Sequence, residues 1–330
     1  YVNKSYRHLY AGGWFVSGVD PLANWEPMAW GQMKPDKPRW NSAKQKAVKY
    51  EAPAATPTRL FIPHVPIESA RKVLERYNSG VYAHQQLSLT ELETACHWGE
   101  GGFWGWLIDH PEIPLAIEEG AKKVGASFAA GIAAIGLPGV WNARKPKPKD
   151  EEALKHWKAE LKDEIVLFAQ PGRKIVFAFD ADEKPKTQAT VWAAMEASAF
   201  LILKDTQAQP FFASWHSSQG KGIDDFVASN GADAFAAVIN AARDYEEWKI
   251  QCQLSGELTR SPDLLINQKL IDIDLDALPK EGIIAIVSPK GSGKTQRFLK
   301  PLVEGEDSAL LIGHLINLTK ANSQRMSCTY

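Results

Sequence analysis

The chain has 330 residues, of which 45% are hydrophobic and 23% are charged, a composition typical of a folded globular protein rather than a disordered one. At ~150 residues per domain, this length predicts about two domains. The net charge of −1 excludes a uniformly basic nucleic-acid coat protein. The three cysteines form no CxxC pair, so neither a disulfide scaffold nor a cysteine zinc site is expected, and the chain is predicted to be cytoplasmic.

No signal peptide and no membrane helix are predicted. The longest run without charged residues, 124–143, has the length of a membrane span, but its glycines and Pro138 interrupt it. The first residue is Tyr rather than Met, and the chain ends soon after a nucleotide-binding motif. We therefore expect a piece of a longer protein.

The first 50 residues are basic and rich in tryptophan. Eight Lys and Arg side chains stand there against three acidic ones, together with four tryptophans. Interleaved basic and aromatic residues suit single-stranded nucleic acid, because cations meet phosphates and rings stack on bases. The candidate DNA-binding residues are Lys34, Lys37, Arg39 and Trp40. The alternative is a small module in which the tryptophans form the core and the basic residues a solvated rim.

The stretch that follows is predicted to contain a linker and a helix. Residues 51–63 are rich in Ala, Pro and Thr, which indicates a linker. Residues 67–78 have the spacing of an amphipathic helix. We assign residues 1–112 to an N-terminal basic, Trp-rich α+β module with its linker.

From residue 113 strands alternate with helices. The predicted strands are 114–118, 131–137, 174–179 and 210–215. The predicted helices are 120–130, 150–168, 186–205 and two between 224 and 248, separated at Asn230-Gly231. This alternation predicts an α/β domain over 113–250, with a parallel sheet flanked by helices.

Acidic residues follow the ends of three of these strands. They are Glu119 before Gly120, the pair Asp180 and Asp182, and Asp224 within the segment 221–225. The carboxyl ends of parallel strands share one edge, where ligands bind. Carboxylates gathered there need a cation, and hard oxygen ligands select Mg²⁺ or Mn²⁺. Taken singly, such residues are also common as turn formers and helix caps.

The series Glu-Gly, Asp-x-Asp and Lys-Gly-Ile-Asp-Asp, in this order, resembles the TOPRIM domain of bacterial primases, topoisomerases and some nucleases. The resemblance implies that Glu119 acts in acid–base or metal chemistry and that Asp180 and Asp182 hold the metal. Lys221, as a catalytic residue, and Asp224, as a metal ligand, are secondary candidates. The neighbouring Glu118 matches less well, because the glutamate of that domain directly precedes its glycine.

The sequence of residues 283–295 predicts a phosphate-binding loop. A buried strand at 283–287 is followed by a glycine-rich turn and then by a helix. Backbone amides of such a turn wrap a phosphate, while the lysine reaches the β and γ oxygens and the hydroxyl binds Mg²⁺. The predicted nucleotide-binding residues are Ser288, Gly291, Ser292, Gly293, Lys294 and Thr295. Ser288 stands where the strict pattern has Gly, which resembles the helicase version of the motif.

The residues after this loop, 309–321, resemble the next helicase segment. No acidic motif for water activation follows before Tyr330, so ATP turnover by this chain alone is not expected. We assign residues 251–330 to a linker and a truncated P-loop, helicase-like domain.

Read together, these segments resemble cyanobacterial plasmid replication proteins that join a TOPRIM-like primase region to a P-loop helicase region. The most specific segments are Glu119-Gly-Ala-Lys-Lys123 and Asp180-Ala-Asp182. The resemblance implies plasmid DNA replication, Mg²⁺ or Mn²⁺ and ATP or other nucleoside triphosphates as cofactors, and single-stranded or origin DNA as partner. It implies no membrane partner, and a homo-oligomer if the helicase part is complete.

Three functions are compatible with these residues. The first is a metal-dependent, primase-like nucleotidyltransferase. The second is a TOPRIM nuclease that hydrolyses DNA, and the third is a non-enzymatic origin-binding scaffold. A topoisomerase is disfavoured, because nothing in the sequence marks a strand-cleaving tyrosine.

Overall fold

The computed structural model describes residues 6–43, 45–80, 86–148, 150–255, 270, 273–278, 286 and 293–304. The chain divides into two compact units, Tyr1–Trp248 and Lys249–Tyr330. The predicted strand at 283–287 and the helicase-like segment 309–321 fall outside the described residues, except for residue 286.

The N-terminal region forms two antiparallel hairpins after a short 3-10 helix, Arg7–Ala11. They pair β1 (Gly13–Asp20) with β2 (Glu26–Pro35), and β3 (Trp40–Asn41) with β4 (Lys46–Ala47). The register of the first hairpin shifts between Ser17 and Val19. A Cβ atom at Gly18 would lie 2.1 Å from the carbonyl oxygen of Ile62. Glycine at this shift therefore allows the later chain to approach β1.

The predicted linker is packed rather than free. Leu60 and Ile62 are fully buried, and Phe61 forms an antiparallel bridge with Gly136. The backbone amide of Val19 donates to the carbonyl of Ile62 at 2.8 Å. This differs from the expectation for 51–63, because composition signals a flexible segment while burial of two large side chains fixes its second half.

Three helices follow. They are α1 (Ile67–Asn78), α2 (Leu89–Trp98) and α3 (Phe103–Asp109). The predicted helix at 67–78 is confirmed, and it buries one apolar side with Ala70, Val73 and Leu74. Helix α2 begins at a Ser88 cap, whose hydroxyl accepts from the amide of Glu91.

A five-stranded sheet forms the centre of the first unit. Its strands are β5 (Leu115–Glu119), β6 (Ala134–Leu137), β7 (Lys174–Ala178), β8 (Gln209–Phe212) and β9 (Arg243–Asp244), in the order β6-β5-β7-β8-β9. The first four are parallel and β9 is antiparallel to β8. All residues of β6 and the first four of β5 are buried, as expected where both faces are covered. The predicted parallel sheet with helices is confirmed.

The helices that accompany the sheet are α4 (Ala121–Ala129), α5 (Glu151–His156), α6 (Asp163–Phe168), α7 (Pro185–Asp205), α8 (Ile223–Asn230), α9 (Ala232–Asn240) and α10 (Tyr245–Ser255). The predicted single helix over 150–168 is wrong, since α5 and α6 are separate. Leu161 between them is buried and bridges Arg144 in antiparallel fashion. Pairing with the preceding basic loop therefore holds this segment extended and interrupts the helix.

In the second unit, the described residues contain a 3-10 turn, Leu275–Ala277, and a π-helical turn, Lys294–Leu299, which continues into α11 (Lys300–Glu304). Across the described part of the chain, no helix is both long enough and apolar enough to cross a membrane.

Candidate active site

The acidic residues predicted to act together lie at the carboxyl edge of the sheet. Glu119 is the last residue of β5, and the segment Asp180–Asp182 follows β7 after one intervening residue, Phe179. Strands β5 and β7 are parallel neighbours, with Glu118 opposite Ala178 in register. This pairing brings Glu119 and the Asp-x-Asp turn to the same end of adjacent strands. Gly120, with φ of 92°, then turns the chain into helix α4.

The segment after β8 closes against the Asp-x-Asp turn. The amide of Ala181 donates to the carbonyl of Lys221 at 2.9 Å. The ammonium nitrogen of Lys221 lies 2.9 Å from Oδ1 of Asp182. A backbone contact and an ion pair thus hold Lys221 at the same edge as the carboxylates.

A second lysine contacts the cluster from helix α4. Lys123 stands in the first turn of that helix, and its ammonium nitrogen lies 3.1 Å from Oδ1 of Asp180. Both side chains are mostly buried, at 18% and 19% exposure. Lys123 belongs to the sequence motif, but its pairing with Asp180 depends on how α4 packs, which the sequence alone does not reveal.

Side chains of the site come close to the backbone at Gly222. A Cβ atom there would lie 2.7 Å from Oδ1 of Asp224, 2.9 Å from Cε of Lys123 and 3.3 Å from Oδ1 of Asp180. Asp224 itself lies in the first turn of α8. The side chains from three separate segments therefore meet around one glycine, and any larger residue would push them apart.

The electrostatics of this edge reflect burial first and the neighbouring charges second. Burial first, and then the charge of Asp180, raises the pKa of Glu119. Burial also raises the pKa of Asp180, although Lys123 acts in the opposite direction. The pKa of Lys123 is raised overall, because the carboxylates around it outweigh the effect of its burial. A hydrogen bond with Asp182 raises the pKa of Lys221.

Glu118 points away from solvent altogether. It is fully buried, and its Oε1 accepts a hydrogen bond from the hydroxyl of Ser127 on α4. Burial raises its pKa to about 8, so this carboxyl is mostly neutral at pH 7. Its Oε2 has no hydrogen-bond partner among the described residues. Glu118 and Glu119 therefore have different environments despite being neighbours.

The carboxylates have the right chemistry for Mg²⁺, since hard oxygen donors are the ligands that it prefers. Within the described residues, however, no group of three or more His, Cys, Asp or Glu side chains is arranged to hold a metal ion. Lys123 and Lys221 instead contact Asp180 and Asp182. The donor set has the chemistry for a divalent cation, and the two ammonium groups offset only part of its negative charge.

The candidate DNA-binding residues lie on the N-terminal hairpins and in the connection between them. Lys34, Lys37, Arg39 and Trp40 are all exposed. Arg39 forms an ion pair with Glu51, in which Nε of Arg39 lies 2.6 Å from Oε1 of Glu51. A cleft of about 630 Å³ beside it is lined by Arg39, Asn41, Lys46, Ala47, Val48, Lys49, Tyr50 and Glu51.

The tryptophans of this region are not uniformly buried. Trp14 is 41% exposed and Trp40 is 60% exposed, while Trp25 and Trp30 are partly covered. The ring of Trp25 packs edge-on at 6.2 Å from that of Phe168. The region thus combines packing tryptophans with exposed ones.

Part of the predicted phosphate loop can be located. Gly293 has φ of 85°, and Lys294 and Thr295 begin the π-helical turn that follows it. Ser288, Gly291 and Ser292 lie outside the described residues. A glycine with positive φ before a helix is compatible with the predicted motif, which stays a prediction.

Comparison with protein families and curated proteins gives two matches. A family model described as a domain of unknown function, DUF3854, matches residues 103–234. An uncharacterized protein of Picosynechococcus sp. strain PCC 7002 is 34% identical over 328 residues, which are 98% of this chain and 31% of the relative. The chain therefore spans about a third of the length of the curated relative it matches.

Solved structures of bacterial primases are also similar. The zinc-binding and RNA polymerase domains of the Aquifex aeolicus primase match at 11% identity, covering 74% of this chain and 43% of that one, with a TM-score of 0.39. A DnaG catalytic core matches at 14% identity over 95% and 70% of the two chains, with a TM-score of 0.40.

Proposed function

We propose that this chain belongs to a DNA replication protein and that the carboxyl edge of its sheet is a metal-dependent nucleotidyltransferase site of primase type. The observation that supports this most directly is the meeting of Glu119, Asp180 and Asp182 with Lys221 at one strand edge, where ligands of parallel sheets bind. Mg²⁺ or Mn²⁺, when bound, would offset charge on the reacting phosphate and orient the attacking hydroxyl.

The residues of the edge have distinct proposed roles. Asp180, Asp182 and Asp224 supply oxygen ligands for the metal. Glu119, whose pKa is raised by burial and by Asp180, is a better proton acceptor than an ordinary surface glutamate and would serve as the general base. Lys221, which is 59% exposed and pairs with Asp182, is placed to meet a phosphate that arrives from solvent.

The regions before and after this site have proposed roles of their own. Residues 1–112 would bind single-stranded DNA through the exposed Lys34, Lys37 and Trp40, and 113–250 would carry the nucleotidyltransferase. Residues 251–330 would begin a P-loop helicase domain with Lys294 and Thr295 at its phosphate site. Plasmid replication is the biological role that this combination suits best.

The test is template-dependent incorporation of labelled nucleoside triphosphates on single-stranded DNA with Mg²⁺ or Mn²⁺. Incorporation lost in Asp180→Asn/Asp182→Asn supports the proposal. The matched control is Asp163→Asn/Asp233→Asn, because both of these carboxylates are exposed and each forms an ion pair elsewhere. Loss in both double variants alike would mean a general effect on folding.

A nuclease is the second candidate within the same chemistry. Metal-dependent nicking of supercoiled DNA, without nucleotide incorporation, would favour it. A non-enzymatic, origin-binding scaffold is the alternative of a different class. DNA binding without either activity would support that alternative.

The phosphate loop is tested separately. Titration of ATP·Mg²⁺ into the wild-type chain and Lys294→Ala measures whether this lysine contributes to nucleotide binding. We expect weak binding that the substitution removes, and no steady hydrolysis, since the sequence shows no acidic water-activating motif after the loop. Equal binding by both chains would contradict the assignment of Lys294.

A further inference from the structure

The carboxylate edge is the group formed by Glu119, Asp180, Asp182 and Asp224. We propose that the ammonium group of Lys123 neutralises Asp180 when no metal is bound, and that it limits the carboxylate edge to weak binding of a single divalent ion. The inference rests on the proposed function, and it concerns how the site is tuned rather than which reaction it performs. It follows from the position of Lys123, from the lack of an aligned hydrogen-bond donor at Oδ1 of Asp180 among the described residues, and from the local balance of charge.

Lys123 is held in place by packing. It projects from the first turn of α4, and its Cε lies where a Cβ of Gly222 would come within 2.9 Å. Its side chain is 18% exposed, so most of its stem is covered. A lysine in this position loses more hydration than a surface lysine and depends more on its carboxylate partner.

Asp180 depends on this lysine in turn. Its Oδ1 is shielded from solvent and has no aligned hydrogen-bond donor among the described residues. The ion pair with Lys123, at 3.1 Å, is what compensates this oxygen. Without the ammonium group, Asp180 would be a buried and uncompensated carboxylate, which is destabilising.

The charge count leaves room for one divalent ion. Glu119, Asp180, Asp182 and Asp224 carry four negative charges, against the two positive charges of Lys123 and Lys221. The difference is a formal charge of −2, which one Mg²⁺ balances. The buried Oε2 of Glu118, the residue before Glu119, also has no hydrogen-bond partner within the described residues.

Lys221 provides a matched comparison on the same edge. It also pairs with an aspartate, at 2.9 Å from Asp182, but its side chain is 59% exposed. Solvent and salt screen such a pair, so its loss alters the local potential less. Two lysines with similar contacts and different burial should therefore affect metal binding unequally.

In the experiment, Mn²⁺ alone is titrated into the 330-residue chain and into its variants Lys123→Met, Lys221→Met and Asp180→Asn. Calorimetry measures the heat of binding. Removing the buried ammonium removes a competing positive charge, so Lys123→Met should bind Mn²⁺ about tenfold tighter than wild type or better. Lys221→Met should stay within about threefold of wild type. Asp180→Asn should weaken binding in each background.

Thermal unfolding in EDTA gives a second measurement that needs no metal. Lys123→Met should lower the melting temperature, and adding Asp180→Asn to it should restore most of the loss, because the unpaired charge is then gone. Lys123→Arg, which keeps the charge, should behave like wild type. Should Lys123→Met fail to fold, Lys123→Gln and the double variant Lys123→Met/Asp180→Asn serve the same comparison.

The outcomes separate the two proposals. Equal Mn²⁺ affinity in wild type and Lys123→Met, with binding still lost in Asp180→Asn, would overturn the role of Lys123 and leave the proposed function standing. Absence of Mn²⁺ binding by every variant would overturn the metal-dependent function and this inference with it. Tighter binding by Lys123→Met, together with the restored melting temperature of the double variant, would support both.

Discussion

Trp14 on β1 lies directly opposite Lys34 on β2 in the register of the N-terminal hairpin. Both side chains are exposed, and residues directly opposite across antiparallel strands are close neighbours. A ring and a cation side by side match the two features of a single-stranded nucleic acid, its bases and its phosphates. The hairpin therefore offers a testable contact surface.

We predict that Lys34→Glu/Lys37→Glu weakens binding of single-stranded DNA and reduces the slope of log affinity against log salt by about one unit for each lost phosphate contact. Trp14→Ala should weaken binding by about 1–3 kcal/mol through lost stacking, with the salt slope unchanged. Fluorescence anisotropy at several salt concentrations measures both. An unchanged slope in the double lysine variant would favour the reading of this region as a packed module with a solvated rim.

Arg39 is expected to behave differently from these lysines. Its guanidinium is held by the buried carboxylate of Glu51, with contacts at 2.6 and 3.1 Å. Arg39→Ala should therefore lower the free energy of unfolding, by about 1–3 kcal/mol, because it leaves a buried charge with fewer partners. Chemical denaturation measures this change, and a loss of DNA binding without a loss of stability would contradict it.

Asp180→Asn/Asp182→Asn is predicted to reduce metal-dependent nucleotide incorporation by at least about 100-fold, because the proposed metal ligands lose their charge. The fold should persist, since the substitutions preserve side-chain shape and Lys123 still has the charges of Asp224 and Glu119 nearby. Incorporation assays and circular dichroism of the same preparations give the two readings. Retained activity in the folded variant would exclude these aspartates from the chemistry.

Gly222→Ala is predicted to lower the same activity about tenfold or more, because its Cβ would displace Lys123 and Asp224. The three atoms that this Cβ would meet all belong to side chains and not to the backbone, so the free energy of unfolding should change by less than about 1 kcal/mol. Gly125→Ala is the matched control, with nothing within 4 Å of its added Cβ. In the middle of α4, that change should stabilise by about 0.5–1 kcal/mol and leave activity intact.

The sheet could be predicted from sequence because its signals are local. Buried runs such as 174–178 are almost wholly apolar and end at acidic residues, and the parallel arrangement follows from the helices between them. The meeting of Glu119 with Asp180 then requires only that β5 and β7 be neighbours. Topology of this kind puts the strand ends on one edge without any detail of side-chain packing.

The remaining features depend on contacts between distant residues. The break between α5 and α6 comes from the bridge of Leu161 with Arg144, which no helical periodicity reveals. The linker composition around 51–63 conceals the burial of Leu60 and Ile62. The role of Lys123 likewise needs the packing of α4 against Gly222, since a lysine in a first helical turn is ordinarily solvated.

Arg59 joins three parts of the first unit, and its effect on stability should depend on pH. Its guanidinium contacts both oxygens of Asp20 at 2.5 and 2.8 Å, and its Nε lies 2.7 Å from Oε1 of Glu164. The hydrogen bonds from Arg59 lower the pKa of Asp20 in the folded state below its ordinary value of 3.8. The unfolded chain then binds more protons in this range, so the stabilisation is complete above pH 3.8 and is lost as the pH falls through the lower, folded-state pKa.

Asp20→Asn should therefore lower the free energy of unfolding by about 1–3 kcal/mol at pH 6, and the difference from wild type should shrink progressively below pH 3.8. Asp163→Asn is the control, because its carboxylate is 61% exposed in its pair with Lys145 and should change stability little at either pH. Urea denaturation between pH 2.5 and 7 measures the three proteins together. If the gap between wild type and Asp20→Asn stayed constant, or widened toward low pH, the ion pair with Arg59 would not be its source. A gap that closes only for Asp20→Asn would instead show that this arginine holds β1, the predicted linker and α6 together through charge.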